Sequence, residues 1–203
     1  MPMTGKRGRP SAAEADARDE RVVDVVVAVL TGEGLEALTL DRVAAEAHVA
    51  KRTLYTVFGD RAGLVRAAVR RQHAYLEDAG DGASDLRSAA RGILRHLLGD
   101  EAIGVHRAIT GAAALHPLLA REFYEQGPAR AQGFLAAHLP TDARISPALL
   151  FTALLGEPHR RRLLGLADPL TSPAIDAQVD EVLHAFGLDS SDQARSGRKS
   201  SSS

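Results

Sequence analysis

Apolar residues along the chain recur at helical spacing, and no stretch alternates at the spacing of a strand. The clearest case is 38–64, LTLDRVAAEAHVAKRTLYTVFGDRAGL. Leu40, Val43, Ala44 and Ala47 fall at i, i+3, i+4 and i+7, one stripe facing a core. Thr39 stands just ahead of them, where its hydroxyl can cap the first helix. His48-Val49-Ala50 makes a turn, with Val49 directed inward. A second short helix runs from Ala50 to about Val57, with Leu54, Val57 and Phe58 as its inward anchors. Lys51, Arg52, Thr53, Tyr55 and Thr56 remain outside. Gly59-Asp60 breaks the pattern, and Asp60 caps a third segment from Arg61. Such a pair, aliphatic inside and rich in donors outside, suits a DNA major groove. It also fits a plain amphipathic hairpin with a solvated charged face.

The remaining pattern is helical too. The Val22–Val29 run is rich in β-branched residues, but Asp24 and the charged lead-in favour a helix. Arg61 to about Asp78 reads as one helix linking two domains. Gly80-Asp81-Gly82 is a turn, and Ser84 or Asp85 starts a helix through Leu86, Ala89, Ala90, Ile93, Leu94 and Leu97, closed by Gly99-Asp100. Further helices are expected at 101–114, 118–138, 146–156 and 172–187. Pro117, Pro140, Pro147, Pro158, Pro169 and Pro173 are expected near their ends.

Composition narrows the chemistry. With 203 residues, 45% hydrophobic, the chain can build a real core, but at 4% aromatic with no Trp it must do so from Ala, Leu and Val. The absence of Cys excludes disulfides, thiolate zinc sites and cysteine nucleophiles. No apolar run approaches the ~20 residues that span a bilayer. The basic start leads into Glu14, Asp16, Asp19 and Glu20, unlike a signal peptide, so a cytoplasmic protein with no membrane partner is expected. The net charge of −1 does not announce nucleic acid. Residues 1–75 nevertheless carry +2 and residues 76–203 carry −3, with cations clustered at Lys6, Arg7, Arg9, Lys51, Arg52, Arg61, Arg66, Arg70 and Arg71.

Residues 22–66 resemble the DNA-binding domain of TetR/AcrR-type transcriptional regulators. The resemblance rests on an aliphatic first helix, Gly32 and Gly34, Thr39, Val43-Ala44, Val49, Thr53-Leu54-Tyr55, Phe58, Arg61 and Leu64. His48 stands where that family usually has Gly, Ala50 where it has Ser, Arg52 where Gly is frequent and Arg61 where Lys is usual. If the turn needs a positive φ, His48 tolerates it better than most residues. The family implies an all-α homodimer, an N-terminal three-helix helix-turn-helix domain followed by a helical effector-binding and dimerisation domain. On that basis 1–14 is a flexible basic arm, 15–60 the DNA-binding domain, 61–188 the effector and dimerisation domain, and 189–203 a disordered tail. Lys51, Arg52, Thr53, Tyr55 and Thr56 are expected in or beside the major groove, with Thr39 and Arg61 on flanking phosphates. Arg7 and Arg9 belong to an arm that either enters a minor groove or is merely solubilising.

In the C-terminal half, 105–139 and 149–165 resemble the ligand domain of AcrR-type members more weakly. An effector pocket is expected between the helices at 101–114 and 118–138, with His106, Arg107, Phe123, Tyr124 and Arg130 on its walls. Dimerisation is expected through Ile175, Val179, Val182 and Phe186 on the last helix and Leu149 and Thr152 on the preceding one. The eight histidines, His48, His73, His96, His106, His116, His138, His159 and His184, show no i, i+4 pair or carboxylate partner at ligand spacing, so no metal and no cofactor is expected. Neither a Gly-x-Ser-x-Gly turn nor a phosphate loop is present, and no enzyme is expected. Two functions stay open: a repressor released from a double-stranded operator by a small apolar effector, and a dimeric DNA-binding module with no small molecule.

Overall fold

A computed structural model describes residues 11–74, 76 and 85–189. Its described residues form ten α-helices and a short 3-10 turn, with no strand. They gather into two compact units that divide between Ala68 and Val69.

The first unit begins at Ser11, whose hydroxyl accepts from Glu14 N at 3.2 Å while the Glu14 carboxylate accepts from Ser11 N at 2.8 Å. That reciprocal cap starts α1 (Ala12–Glu33), so the last three residues of the expected arm are helical. The valine run is helix: Val22, Val23, Val26, Val27, Val29 and Leu30 form its buried side. Gly34 ends α1 at φ 85°, a conformation that a side chain would strain. A 3-10 turn (Leu35–Ala37) leads to α2 (Leu40–Glu46), capped by Thr39 Oγ1 accepting from Arg42 N at 3.2 Å. α1 packs on both, and α2 on α3 (Lys51–Phe58). α4 (Arg61–His73) crosses from this unit into the next, and its first part belongs here, not to the second domain. Residues 77–84, including the expected end of this helix and the Gly80–Gly82 turn, lie outside the described residues.

The second unit is built round α5 (Leu86–Leu97), which starts at an Asp85–Ser88 capping box, Asp85 being one of the two starts its sequence offers. All six of its expected apolar positions are buried. It packs against α8 (Pro128–His138), α9 (Pro147–Leu163) and α10 (Ser172–Ala185). α6 (Asp100–Ala112) packs on α9 and on α7 (Pro117–Gln126). Two expectations are corrected here. The helix expected at 118–138 is two, because Gly127-Pro128 interrupts the backbone hydrogen-bond ladder. The helix expected to stop near 156 continues to Leu163 and carries Pro158 inside it, the backbone breaking at Gly156 (φ 40°, ψ −138°). Pro158 has no N–H to offer the Leu154 carbonyl four residues back, which accepts from Gln178 Nε2 at 3.5 Å instead.

Candidate functional site

The turn between α2 and α3 depends on His48, the one non-glycine residue with positive φ (54°) among the described residues. Imidazole tolerates this conformation, so the departure from glycine leaves the turn intact. Ala50 precedes α3 with no side-chain cap, which leaves the first N–H groups of that helix open to an oxygen from elsewhere. At the other end Gly59 (φ 81°) stops α3, and Asp60 Oδ1 accepts from Gly63 N at 2.7 Å to start α4. Gly63 is buried hard against the Phe58 carbonyl, with no room for a Cβ. Both ends of α3 are therefore fixed by backbone geometry.

Leu54 is fully buried and Phe58 half-buried, holding α3 to the unit. Val57 was expected beside them and is instead 43% exposed, at the edge of the face that Leu54 and Phe58 bury. The outward surface thus comprises Arg52, Thr56, Tyr55, Lys51 and Val57, with Thr53 half-buried at its edge. Val57 is the surface residue that periodicity missed; at i+3 from Leu54 it shares the apolar stripe by spacing, so no local signal set it apart.

Charges round α3 are largely paired. Lys51 Nζ donates to Asp41 at 2.7–3.0 Å, which raises the ammonium pKa above its ordinary value. Arg61 meets Glu36 at 3.3 Å, and Arg42 is held between Glu33 (2.5 Å) and Glu46 (2.7 Å). Thr56 Oγ1 donates to Arg52 O at 2.9 Å, keeping its lone pairs outward. Among the described cations from Thr39 to Arg66, Arg52 makes no ion pair. Thr39 is exposed with its hydroxyl capping α2. Arg7 and Arg9 lie outside the described residues.

In the second unit the expected effector residues separate. His106 (6% exposed) and Phe123 (8%) come together, ring centroids 5.0 Å apart and edge to face. Arg107 instead donates to the Leu163 carbonyl at 2.7 Å and to that of Arg162. Tyr124 and Arg130 are exposed, carried to the outer faces of α7 and α8. What joins His106 is histidine. His159, swung in beyond the α9 kink, meets His106 with Nε2 3.0 Å from Nδ1. His73 packs edge-on to Phe123 at 5.9 Å, donates from Nδ1 to Val69 O at 2.7 Å, and lies against Gly127 so closely that only glycine fits. Burial, then the charges of His159, His73 and His96, pushes the His106 pKa down to about 3. Burial, then His73, pushes His96 down to about 4 against a favourable contact with the Gln72 backbone. Burial also lowers His73 and His159. Scattered along the sequence, these four residues gave no signal of meeting. Among the described residues no group of three or more His, Asp or Glu is arranged to hold a metal.

The expected dimer stripe divides as well. Ile175, Val179 and Val182 are buried in their own chain's core with Leu94, Leu150 and Leu154, and so are not free for a partner. Leu149 (52%), Thr152 and Phe186 (39%) are exposed. Among the described residues no helix is long and apolar enough to cross a membrane.

Comparison with known proteins defines the class. Residues 22–68 match the family model described as bacterial regulatory proteins, tetR family, and residues 84–187 match the AefR-like transcriptional repressor, C-terminal domain. The chain belongs to the TetR family of DNA-binding transcriptional regulators. Among solved structures it is similar to the flavonoid-responsive regulator FrrA, with 26% identity over 84% of this chain and 95% of that one, at a TM-score of 0.64. A TetR-family regulator from Mesorhizobium loti gives the same TM-score of 0.64 at 18% identity, covering 85% and 96%. The fatty acid degradation regulator FadR from Bacillus halodurans, 14% identical over 82% and 96%, gives 0.61; these last two likenesses concern the fold. No curated protein sequence matched the chain.

Proposed function

We propose that this regulator is a homodimeric repressor, released from its operator when a small, largely apolar molecule binds the C-terminal unit. The observation that carries the DNA half is α3: a short helix fixed at both ends, with Arg52, Tyr55 and Thr56 outward and an uncapped N-terminus. Arg52 reads a base edge or clamps a phosphate, having no intramolecular carboxylate to leave. Lys51 exchanges Asp41 for phosphate, and Thr39, Thr53 and Arg61 supply flanking contacts. Arg7 and Arg9 extend the basic footprint. Repression is supported by the description of the C-terminal family, and ligand response by the similarity to a flavonoid-responsive regulator.

Two copies meet through the outward sides of α9 and α10, where Leu149, Thr152 and Phe186 remain exposed. Such a two-fold pair places two recognition helices on two half-sites. A ligand shifts this arrangement only if it prefers a conformation in which the helices are wrongly spaced. Selection of bound fragments from random DNA, followed by release assays with a library of apolar compounds, tests the reading. An enriched two-fold motif lost on adding a compound is expected. A motif that no compound releases would make the chain a dimeric DNA-binding module without an effector.

A further inference from the structure

The buried histidines carry more than packing requires. His106 uses Nδ1 on His159, while its Nε2 is buried with no hydrogen-bond partner. Gln72, next to His73 on α4 and 2% exposed, buries both amide atoms without a partner. Buried polar atoms are almost always paired, so two such side chains in one unit point to a group that arrives from outside. Their surroundings are flat rings: Phe123 meets His106 at 5.0 Å and His73 at 5.9 Å, and His159 lies 5.3 Å from His106.

We propose that this imidazole cluster is the polar end of the effector site and takes an uncharged phenol, its hydroxyl pairing with His106 Nε2 and its ring packing at Phe123. This rests on the ligand-responsive reading above and names the chemistry that reading leaves open. His106 and His159 share one hydrogen, so His106 Nε2 is a donor or an acceptor according to which ring holds it. A hydroxyl donates and accepts and so fits both tautomers. A carboxylate only accepts, so it fits one tautomer alone, and it carries a charge into a pair whose burial already keeps His106 uncharged (about 3). A hydrocarbon leaves the nitrogen unpaired, the kind of mismatch that polar sites reject strongly.

The test uses the full chain without DNA and two matched sets: toluene, p-cresol and 4-methylbenzoate; biphenyl, 4-phenylphenol and biphenyl-4-carboxylate. Binding is measured by calorimetry and ligand-observed NMR. At least one phenol should bind about tenfold or more tightly than both its hydrocarbon and its carboxylate, a difference one well-made hydrogen bond supplies. His106→Phe, which keeps the ring and removes the nitrogens, should abolish that preference while circular dichroism shows the fold retained. If neither phenol outbinds its two analogues, or if a folded His106→Phe keeps the preference, the proposal is overturned. Should His106→Phe not fold, the wild-type order of affinities decides alone. A phenol that binds but leaves operator DNA bound upholds the site and counts against the effector reading, so the two failures are distinguishable.

Discussion

Arg162 stands six residues beyond the α9 kink at Gly156 with its side chain 7% exposed, and it ties three segments together. Nε donates to the Leu98 carbonyl at 3.1 Å, Nη1 to that of Ala167 at 3.0 Å, and Nη2 to Asp100 Oδ1 at 2.5 Å. The carboxylate end is 83% exposed, so water competes for that contact. The two carbonyl contacts are more sheltered, and hydrogen bonds from a charged donor contribute about 1.5–3 kcal/mol each. Replacing Arg162 by Met keeps the buried stem and removes both, leaving the Leu98 carbonyl beneath the chain. After allowance for the desolvation that Met avoids, the expected loss is about 3 kcal/mol. Asp100→Asn, by contrast, should cost less than about 1 kcal/mol, the ordinary value of an exposed pair. Urea unfolding followed by circular dichroism, at one protein concentration because a dimer's stability depends on it, measures both. Equal losses in the two variants would refute the reasoning, since the ion pair and not the carbonyls would then hold the segment.

Four further outcomes are expected. Lys51→Ala and Arg52→Ala should each lower the slope of log affinity against log salt by about 1 without loss of helicity; an unchanged slope in both would remove α3 from the phosphate contacts. Gly63→Ala forces a Cβ onto the Phe58 carbonyl, so operator binding should fall sharply while circular dichroism changes little, and normal binding would show that the α3–α4 turn is not tightly set. Leu149→Glu, on an exposed position, should give folded monomer in sedimentation, whereas an intact dimer would place the interface elsewhere. Finally, His106 is neutral in the fold (about 3) and titrates near 6.5 when unfolded, so the unfolded state binds the extra proton. Stability should be flat above pH 7 and decline as pH falls from 6.5, on the order of 2 kcal/mol by pH 5 from this group. The decline should be shallower in His106→Phe, and an identical pH profile would show that the imidazole is not buried in solution.

The helix-turn-helix was legible because local signals there agree with one another. Thr39 and Asp60 are caps, Gly34 and Gly59 take positive φ, and Leu54 is a core anchor. Each of these depends on residues within a few positions of itself. The helix α5 was legible for the same reason: its cap and its apolar face lie within a single run of thirteen residues, 85–97. Val57 failed because eight residues define an apolar face too loosely for its edge to be placed. The longer-range features had no local signature. Whether Val179 faces its own core or a second copy depends on where α5 lies, and an amphipathic stripe reads the same in both cases. His73, His96, His106 and His159 stand on four helices, and only packing, with a kink at Gly156 that periodicity hides, brings them to one place. The sequence by itself therefore determined the helix-turn-helix, the helix α5, the caps Thr39, Asp60 and Asp85 and the DNA-binding class, all of which rest on short-range hydrogen bonds and periodicity. Tertiary structure alone decided which faces are spent inside the chain, which cations are already paired, and which imidazoles lose their charge, because each depends on neighbours distant along the backbone.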